Sequence, residues 1–186
     1  MHRDITLYKR ELRAELRAQM EGLSSAYRET SDKDICEAVR RLPEFSAAPR
    51  VFAYVSVGHE IETGGIRALA RAAGKVVALP RIANRVMDFA AEDELPDEFF
   101  GIPQPARAAA RLMPAAGDLV LVPALCYDGE GYRLGQGGGY YDTLLANLEA
   151  VTVGIGRAAL LRRLPHEAHD MPVRILVTEQ GVLRLR

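Results

Sequence analysis

The chain has 186 residues, with 24 Lys and Arg against 25 Asp and Glu, a formal net charge of −1, and 48% hydrophobic residues. That length and apolar content suit one domain with its own core, and the even charge balance excludes a nucleic-acid binder that works by overall charge. The longest apolar runs are strand-sized rather than membrane-spanning, and the charged start lacks the apolar stretch of a secretory signal, so a cytoplasmic protein without membrane or nucleic-acid partners is expected.

Ile5 to Leu23 reads as an amphipathic helix, with Leu12, Leu16, Met20 and Leu23 on one face. Ser24 or Ser25 can cap a second helix that runs to about Leu42, where Pro43 follows its end. Val51 to Val57 reads as a strand. Thr63 can cap a helix carrying Ile66, Leu69 and Ala70 that stops at Gly74. Val76 to Leu79 and Val86 to Ala90 read as strands, and Glu92 to Pro114 as mostly loop. Leu119 to Leu125 is a buried strand, Tyr141 to about Leu148 a helix, and Val151 to Ile155 and Ile175 to Val177 are further strands. Helices alternating with strands predict an α/β fold with a largely parallel sheet, whose ligands bind outside the carboxyl ends of the strands. Cys36 and Cys126 lack metal-ligand spacing and read as reduced packing residues, with Cys126 ending the buried strand.

The segment with the most chemical content follows that strand: Arg133, Leu134, Gly135, Gln136, Gly137, Gly138, Gly139, Tyr140, Tyr141 and Asp142. A glycine-rich turn before a helix exposes backbone N–H groups and makes an anion site, most often for phosphate. Arg133 adds a forked donor suited to phosphate. A flexible surface loop is the plainer alternative, but a linker does not need Arg, two Tyr and Asp at its edges. Neither a Walker A motif nor a dinucleotide-binding fingerprint is present. Lys9, Arg13 and Arg17, four residues apart, form one stripe, and from the residues alone a solvated basic face is the favoured reading. Glu60 and Glu62, at i and i+2 after a strand, point apart if the chain is still extended, so one can face the cleft while the other faces solvent.

Arg133 to Asp142 resembles the signature of the 5-formyltetrahydrofolate cyclo-ligase family, the methenyltetrahydrofolate synthetases. Lys9-Arg10-Glu11-Leu12-Arg13, Glu60-Ile61-Glu62-Thr63, Leu79-Pro80-Arg81, Gly101-Ile102-Pro103-Gln104-Pro105, Leu164-Pro165 and His169-Asp170 fall in the family's order, from Lys9 to Thr178. The resemblance implies a single three-layer α/β domain with a mainly parallel central sheet, like that of the NagB/RpiA/CoA-transferase group. It also implies ATP- and Mg²⁺-dependent ring closure of 5-formyltetrahydrofolate to 5,10-methenyltetrahydrofolate, with ADP and phosphate as products.

The resemblance assigns roles residue by residue. Lys9, Arg10, Arg13 and the segment from Arg133 to Tyr141 would bind ATP, which reverses the solvated-face reading for Lys9 and Arg13. Val55, Glu60 and the positions from Gln136 to Tyr140 would hold the folate, with Tyr140 against its flat ring and Tyr141 left to the core. Asp142 and Asp170 would supply hard oxygen ligands for Mg²⁺, with Arg133 and Asp142 closest to the chemistry. A monomer is expected. Thr143, Gly156 and Ala159 depart from the family pattern. Thr143 and Ala159 motivate a second reading, a catalytically silent nucleotide- or folate-binding protein on the same fold; a phosphotransferase for another small molecule is a third.

Overall fold

The computed structural model describes residues 5–93 and 95–185. In chain order it contains α1 (Ile5–Gly22), α2 (Ser25–Arg40), α3 (Pro43–Ala47), β1 (Arg50–Phe52), α4 (Gly64–Ala72), β2 (Val76–Ala83) and β3 (Val86–Ala91). Then come β4 (Asp97–Phe99), β5 (Ile102–Gln104), β6 (Leu119–Val122), β7 (Cys126–Tyr127), β8 (Arg133–Leu134), α5 (Tyr140–Leu145), β9 (Val151–Ile155), a 3₁₀ turn at Ala158–Leu160, β10 (Ile175–Thr178) and β11 (Gly181–Arg184).

Seven strands form the main sheet in the order β11-β10-β9-β6-β1-β2-β3. The five central strands are mutually parallel, and the two edge strands run antiparallel. The expected mainly parallel α/β sheet is therefore the observed one. Its apolar runs explain the layers, because alternate residues of a strand face opposite sides. Val51, Leu119, Leu121, Val153, Ile155 and Val177 pack with Ile35 and Val39 of α2 and Ile66 and Ala70 of α4. Phe52, Val120, Val122 and Leu176 face the other side, against Phe89, Tyr127 and Leu145. A third cluster seats Leu12, Leu16 and Met20 of α1 on Leu125, Cys126, Leu134, Leu160 and Leu164. This cluster fixes α1 beside the β7–β8 ribbon, so the register of the basic stripe on α1 follows from which leucines are buried.

Several boundaries differ from the expected ones, each for a local reason. The first strand ends at Phe52 rather than Val57. Beyond Ala53, whose N–H still reaches Ala78 O at 2.9 Å, the segment turns inward on side-chain bonds. Thr63 Oγ1 donates to Tyr54 O, and Ser56 Oγ to Ile61 O. Thr63 is thus not the side-chain cap of α4; Glu62 Oε1 accepts from Gly64 N instead, at 2.7 Å. Ser24 does cap α2, accepting from Tyr27 N. Pro43 does more than stop α2: it occupies the first turn of α3, where its missing N–H costs nothing.

Further along, β2 runs on to Ala83, past Pro80, because pairing with β1 ends at Ala78 and leaves β2 one neighbour there. Asn84 and Arg85, both at positive φ, make the tight turn into β3. The long strand breaks at Pro123, so Cys126 begins β7 rather than ending β6. Within the expected loop from Glu92 to Pro114, β4 and β5 form a hairpin turned by Phe100 and Gly101 at positive φ. Gly154 is required by packing: a Cβ there would lie 2.6 Å from the buried Tyr127 ring. Among the described residues, no helix is long and apolar enough to cross a membrane.

Candidate active site

Parallel strands direct their carboxyl ends to one edge of the sheet, and a cleft opens where neighbouring strands continue in opposite directions. Here that place is beside β1, with β2 on one side and β6 on the other. A cavity of about 600 Å³ lies there, a size typical of small-molecule sites. Tyr54 and Val55 line it after β1, Pro80 and Ile82 from β2, and Pro123 and Ala124 after β6. The glycine segment from Arg133 to Asp142 forms one wall, Lys9 and Arg13 of α1 contribute a second, and Glu167, His169 and Asp170 close a corner.

The glycine loop is shaped by α1. Arg13 Nε donates to Gly135 O at 2.9 Å, and Arg17 donates to Gln136 Oε1 at 2.7 Å. Gly137 sits at φ +101, with the Arg13 guanidinium carbon 3.4 Å from where a Cβ would stand. A side chain there would be strained in its backbone and would crowd Arg13. The helix after the loop is only six residues long and starts at Tyr140. Its dipole is correspondingly weak, so any anion must rely mainly on loop N–H groups and side-chain cations.

Each cation at the cavity is tied down. Lys9 Nζ lies 2.7 Å from Asp170 Oδ2 and 3.1 Å from Glu167 Oε2. Burial works against the charged lysine, but the bonds to Asp170 and Glu167 outweigh it, so its pKa is raised. Asp170 loses solvation too, yet Lys9 and the Glu167 N–H hold its carboxyl below the usual range. Arg133, with a side chain 4% exposed, donates to Met171 O at 2.6 Å and to Asp142 Oδ1 at 2.6 Å. Arg10 behaves differently. It is exposed and outside the cavity lining, as expected one position, or about 100° of helix, from Lys9.

Glu60 lines the cavity, whereas Glu62 is exposed and does not. The Glu60 carboxylate is held at both oxygens. Oε2 accepts from Val57 N at 3.1 Å, and Oε1 accepts from Gln136 Nε2 at 3.3 Å. Burial still dominates these bonds and raises its pKa. Tyr140 and Tyr141 both line the cavity. Tyr141 packs partly on the core, yet its buried hydroxyl has no hydrogen-bond partner among the described residues. Burial, with the nearby Glu60 charge, holds that phenol well above its usual pKa, against the opposing Arg133 charge. A buried O–H without a partner is costly, which marks it as a donor open to a bound molecule.

Asp142 and Asp170 present hard oxygens to the same cavity, a donor set that suits Mg²⁺ shared with substrate phosphates. Glu167, His169 and Asp170 also bring ligand atoms within 4.8 Å of one another. The largest continuous part of the site not expected from the sequence is the hairpin wall: Phe99, Phe100, Ile102, Pro103 and Gln104. Of these, Gln104 is buried and accepts from Ile82 N at 3.0 Å, fastening the hairpin to β2. Among the departures from the family pattern, Thr143 returns its hydroxyl to Gly139 O, Gly156 packs on Tyr127, and Ala159 is exposed.

Known proteins resemble this chain in sequence and in fold. A fission yeast (Schizosaccharomyces pombe) protein named a probable 5-formyltetrahydrofolate cyclo-ligase is 28% identical, covering 97% of this chain and 99% of its own. The mouse 5-formyltetrahydrofolate cyclo-ligase is 29% identical over 89% of this chain and 90% of its own. The solved structure of Aquifex aeolicus 5,10-methenyltetrahydrofolate synthetase superposes with a TM-score of 0.84 at 31% identity, covering 96% of this chain and 93% of that one. With the family model matched over residues 5–179, this chain belongs to the 5-formyltetrahydrofolate cyclo-ligase family.

Proposed function

We propose that the family's reaction, ATP-dependent conversion of 5-formyltetrahydrofolate to 5,10-methenyltetrahydrofolate, takes place in the cavity beside β1. The observation that carries this reading is convergence: the glycine loop, the α1 cations and the Glu60 carboxylate all line one space of about 600 Å³. The reaction needs both substrates there together. A formyl oxygen on nitrogen is a poor leaving group. Transfer of the ATP γ-phosphoryl group to that oxygen yields ADP and a good leaving group. Folate N10 then attacks the activated carbon and gives up its proton, the C–O bond breaks, and phosphate departs.

The protein's task is alignment and charge stabilisation rather than covalent chemistry. Lys9, Arg13 and the N–H groups of Gly135, Gly137, Gly138 and Gly139 face the phosphates. Arg133, held between Met171 O and Asp142, offers a cation that needs little reorganisation as charge moves. Glu60 accepts from pterin N–H groups, Val55 packs on the ring, and Tyr140 lies along its face. When Mg²⁺ is bound it neutralises phosphate charge, and Asp142 and Asp170 are the residues that would hold it.

Released phosphate and methenyl product should appear in equal amounts. Phosphoryl transfer to some other acceptor, without methenyl formation, would favour the phosphotransferase reading. Asp142→Asn and Asp170→Asn should each raise the Mg²⁺ concentration needed for half-maximal rate, because the amide keeps the shape but removes the charge a hard cation favours. Titrations in both variants that overlay the wild type would remove these residues from the metal site. Far-ultraviolet circular dichroism separates a raised Mg²⁺ requirement from misfolding.

A further inference from the structure

A buried guanidinium lies behind the Glu60 turn, on the side away from the cavity. Arg157 lies two residues past the end of β9 and is 2% exposed. It does not line the cavity. Its three donor directions go to three different places. Nε donates to Ser31 Oγ at 3.0 Å, and one terminal nitrogen pairs with Asp32, both on α2. The other terminal nitrogen donates to the backbone oxygen of His59 at 2.9 Å, across 98 residues of chain.

His59 is the residue before Glu60, in a turn without regular secondary structure. The turn closes on itself: Glu60 N donates to Val57 O at 3.1 Å, and the Glu60 carboxylate returns to Val57 N at 3.1 Å. Gly58 at positive φ permits that tight path. Such a turn has its own shape but needs an external tie to fix its place. Its polar ties from outside are few among the described residues. Arg157 holds the His59 carbonyl, Arg28 on α2 meets His59 Nδ1 at 3.2 Å, and Gln136 reaches the Glu60 carboxylate at a longer 3.3 Å. Arg28 and Arg157 are themselves linked, because Ser31 Oγ donates to Arg28 O at 2.9 Å.

We propose that Arg157 is a positioning residue for folate binding: its hydrogen bond to the His59 carbonyl, braced by Ser31 and Asp32, sets where the Glu60 carboxylate stands in the cavity. A buried arginine could serve packing alone, but a lysine or an apolar chain would suffice for that. A planar fork spread over a hydroxyl, a carboxylate and one loop carbonyl fixes direction as well as distance. The inference rests on the reading that Glu60 binds the folate.

Its test is a pair of substitutions, alone and combined, in the full chain. Arg157→Lys keeps the charge but loses the three-way fork. It should raise the KM for 5-formyltetrahydrofolate by about tenfold, the scale of one charge-assisted hydrogen bond, and leave the KM for ATP within about twofold. Combined with Glu60→Gln, it should add almost nothing further, because both changes act through one carboxylate. Equal shifts in both KM values, or a full additional effect in the Glu60→Gln background, would overturn the proposal and leave Arg157 a structural residue. Were Glu60→Gln itself to bind folate normally, the Glu60 reading would fail. Were Glu60→Gln impaired and Arg157→Lys normal, only the present inference would fail. Should Arg157→Lys not fold, Asp32→Asn decides: it loosens the brace at a position near the surface, a several-fold rise in the folate KM alone is expected, and an unchanged value contradicts the proposal.

Discussion

Arg133→Ala is expected to lower kcat/KM for ATP by about tenfold to a hundredfold, the equivalent of a charged hydrogen bond worth roughly 1.5–3 kcal/mol. The same change should also destabilise the fold, because Arg133 is buried between Met171 O and the Asp142 carboxylate. Removing one partner of a buried ion pair costs about 3–5 kcal/mol. Asp142 retains 31% exposure, so water can recover part of that cost and a loss nearer the low end is expected. Urea denaturation without ligands measures the structural part, and steady-state kinetics at a temperature where the variant stays folded measures the rest. A folded variant that uses ATP as well as the wild type would reduce Arg133 to a structural tie. Arg133→Lys should fall between the two, since a point charge replaces a fork that spans two acceptors.

Glu60→Gln is expected to raise the KM for 5-formyltetrahydrofolate by at least several-fold while the KM for ATP stays nearly unchanged. Gln matches the volume, so packing survives. One acceptor becomes a donor, however, and the oxygen that now accepts from Val57 N or Gln136 is lost to it. A buried donor without a partner costs about 1–3 kcal/mol. Glu62→Gln is the internal control, because Glu62 is exposed and bonds the start of α4. A larger folate defect in Glu62→Gln would show that the wrong carboxylate had been chosen.

The pH dependence gives a second handle on Glu60. Burial raises its carboxyl pKa in the folded chain, so the native state binds its proton more tightly than the unfolded chain does. The cost of burying the charge is fully present above the folded pKa, is relieved as pH falls from the folded toward the unfolded value, and is gone below the latter. Folate binding that needs the carboxylate should therefore weaken on acidification at a higher pH than an ordinary glutamate would impose. That limb should vanish in Glu60→Gln.

Much of the site was legible because its parts are local in sequence. The wall from Arg133 to Asp142 is continuous, and a strand, a glycine turn and a helix in succession leave its backbone little choice. Lys9 and Arg13 could be paired from helical spacing, whereas the choice of Glu60 over Glu62 came from the family resemblance, since the two lie in a turn rather than an extended strand. Which cavity α1 faced could not be read, since that depends on Leu12, Leu16 and Met20 meeting Leu125 and Leu134. Nor could the partners of the cations. Lys9 meets Glu167 across 158 residues, and no spacing rule reaches that far. The β4–β5 wall escaped because its strands are three residues each and held by tertiary contacts such as Gln104 with Ile82 N. Arg157 looked unremarkable beside Ala158 and Ala159; only the fold shows it beneath the Glu60 turn.

The central claim, that one cavity brings folate and ATP together for ring closure, is tested most directly by following methenyl absorbance in complete and incomplete mixtures. Purified protein with 5-formyltetrahydrofolate, ATP and Mg²⁺ should form the product, and omission of any one of the three should abolish it. Tight binding of both substrates with no product in the complete mixture would contradict the account and mark the chain as a silent binder on this fold.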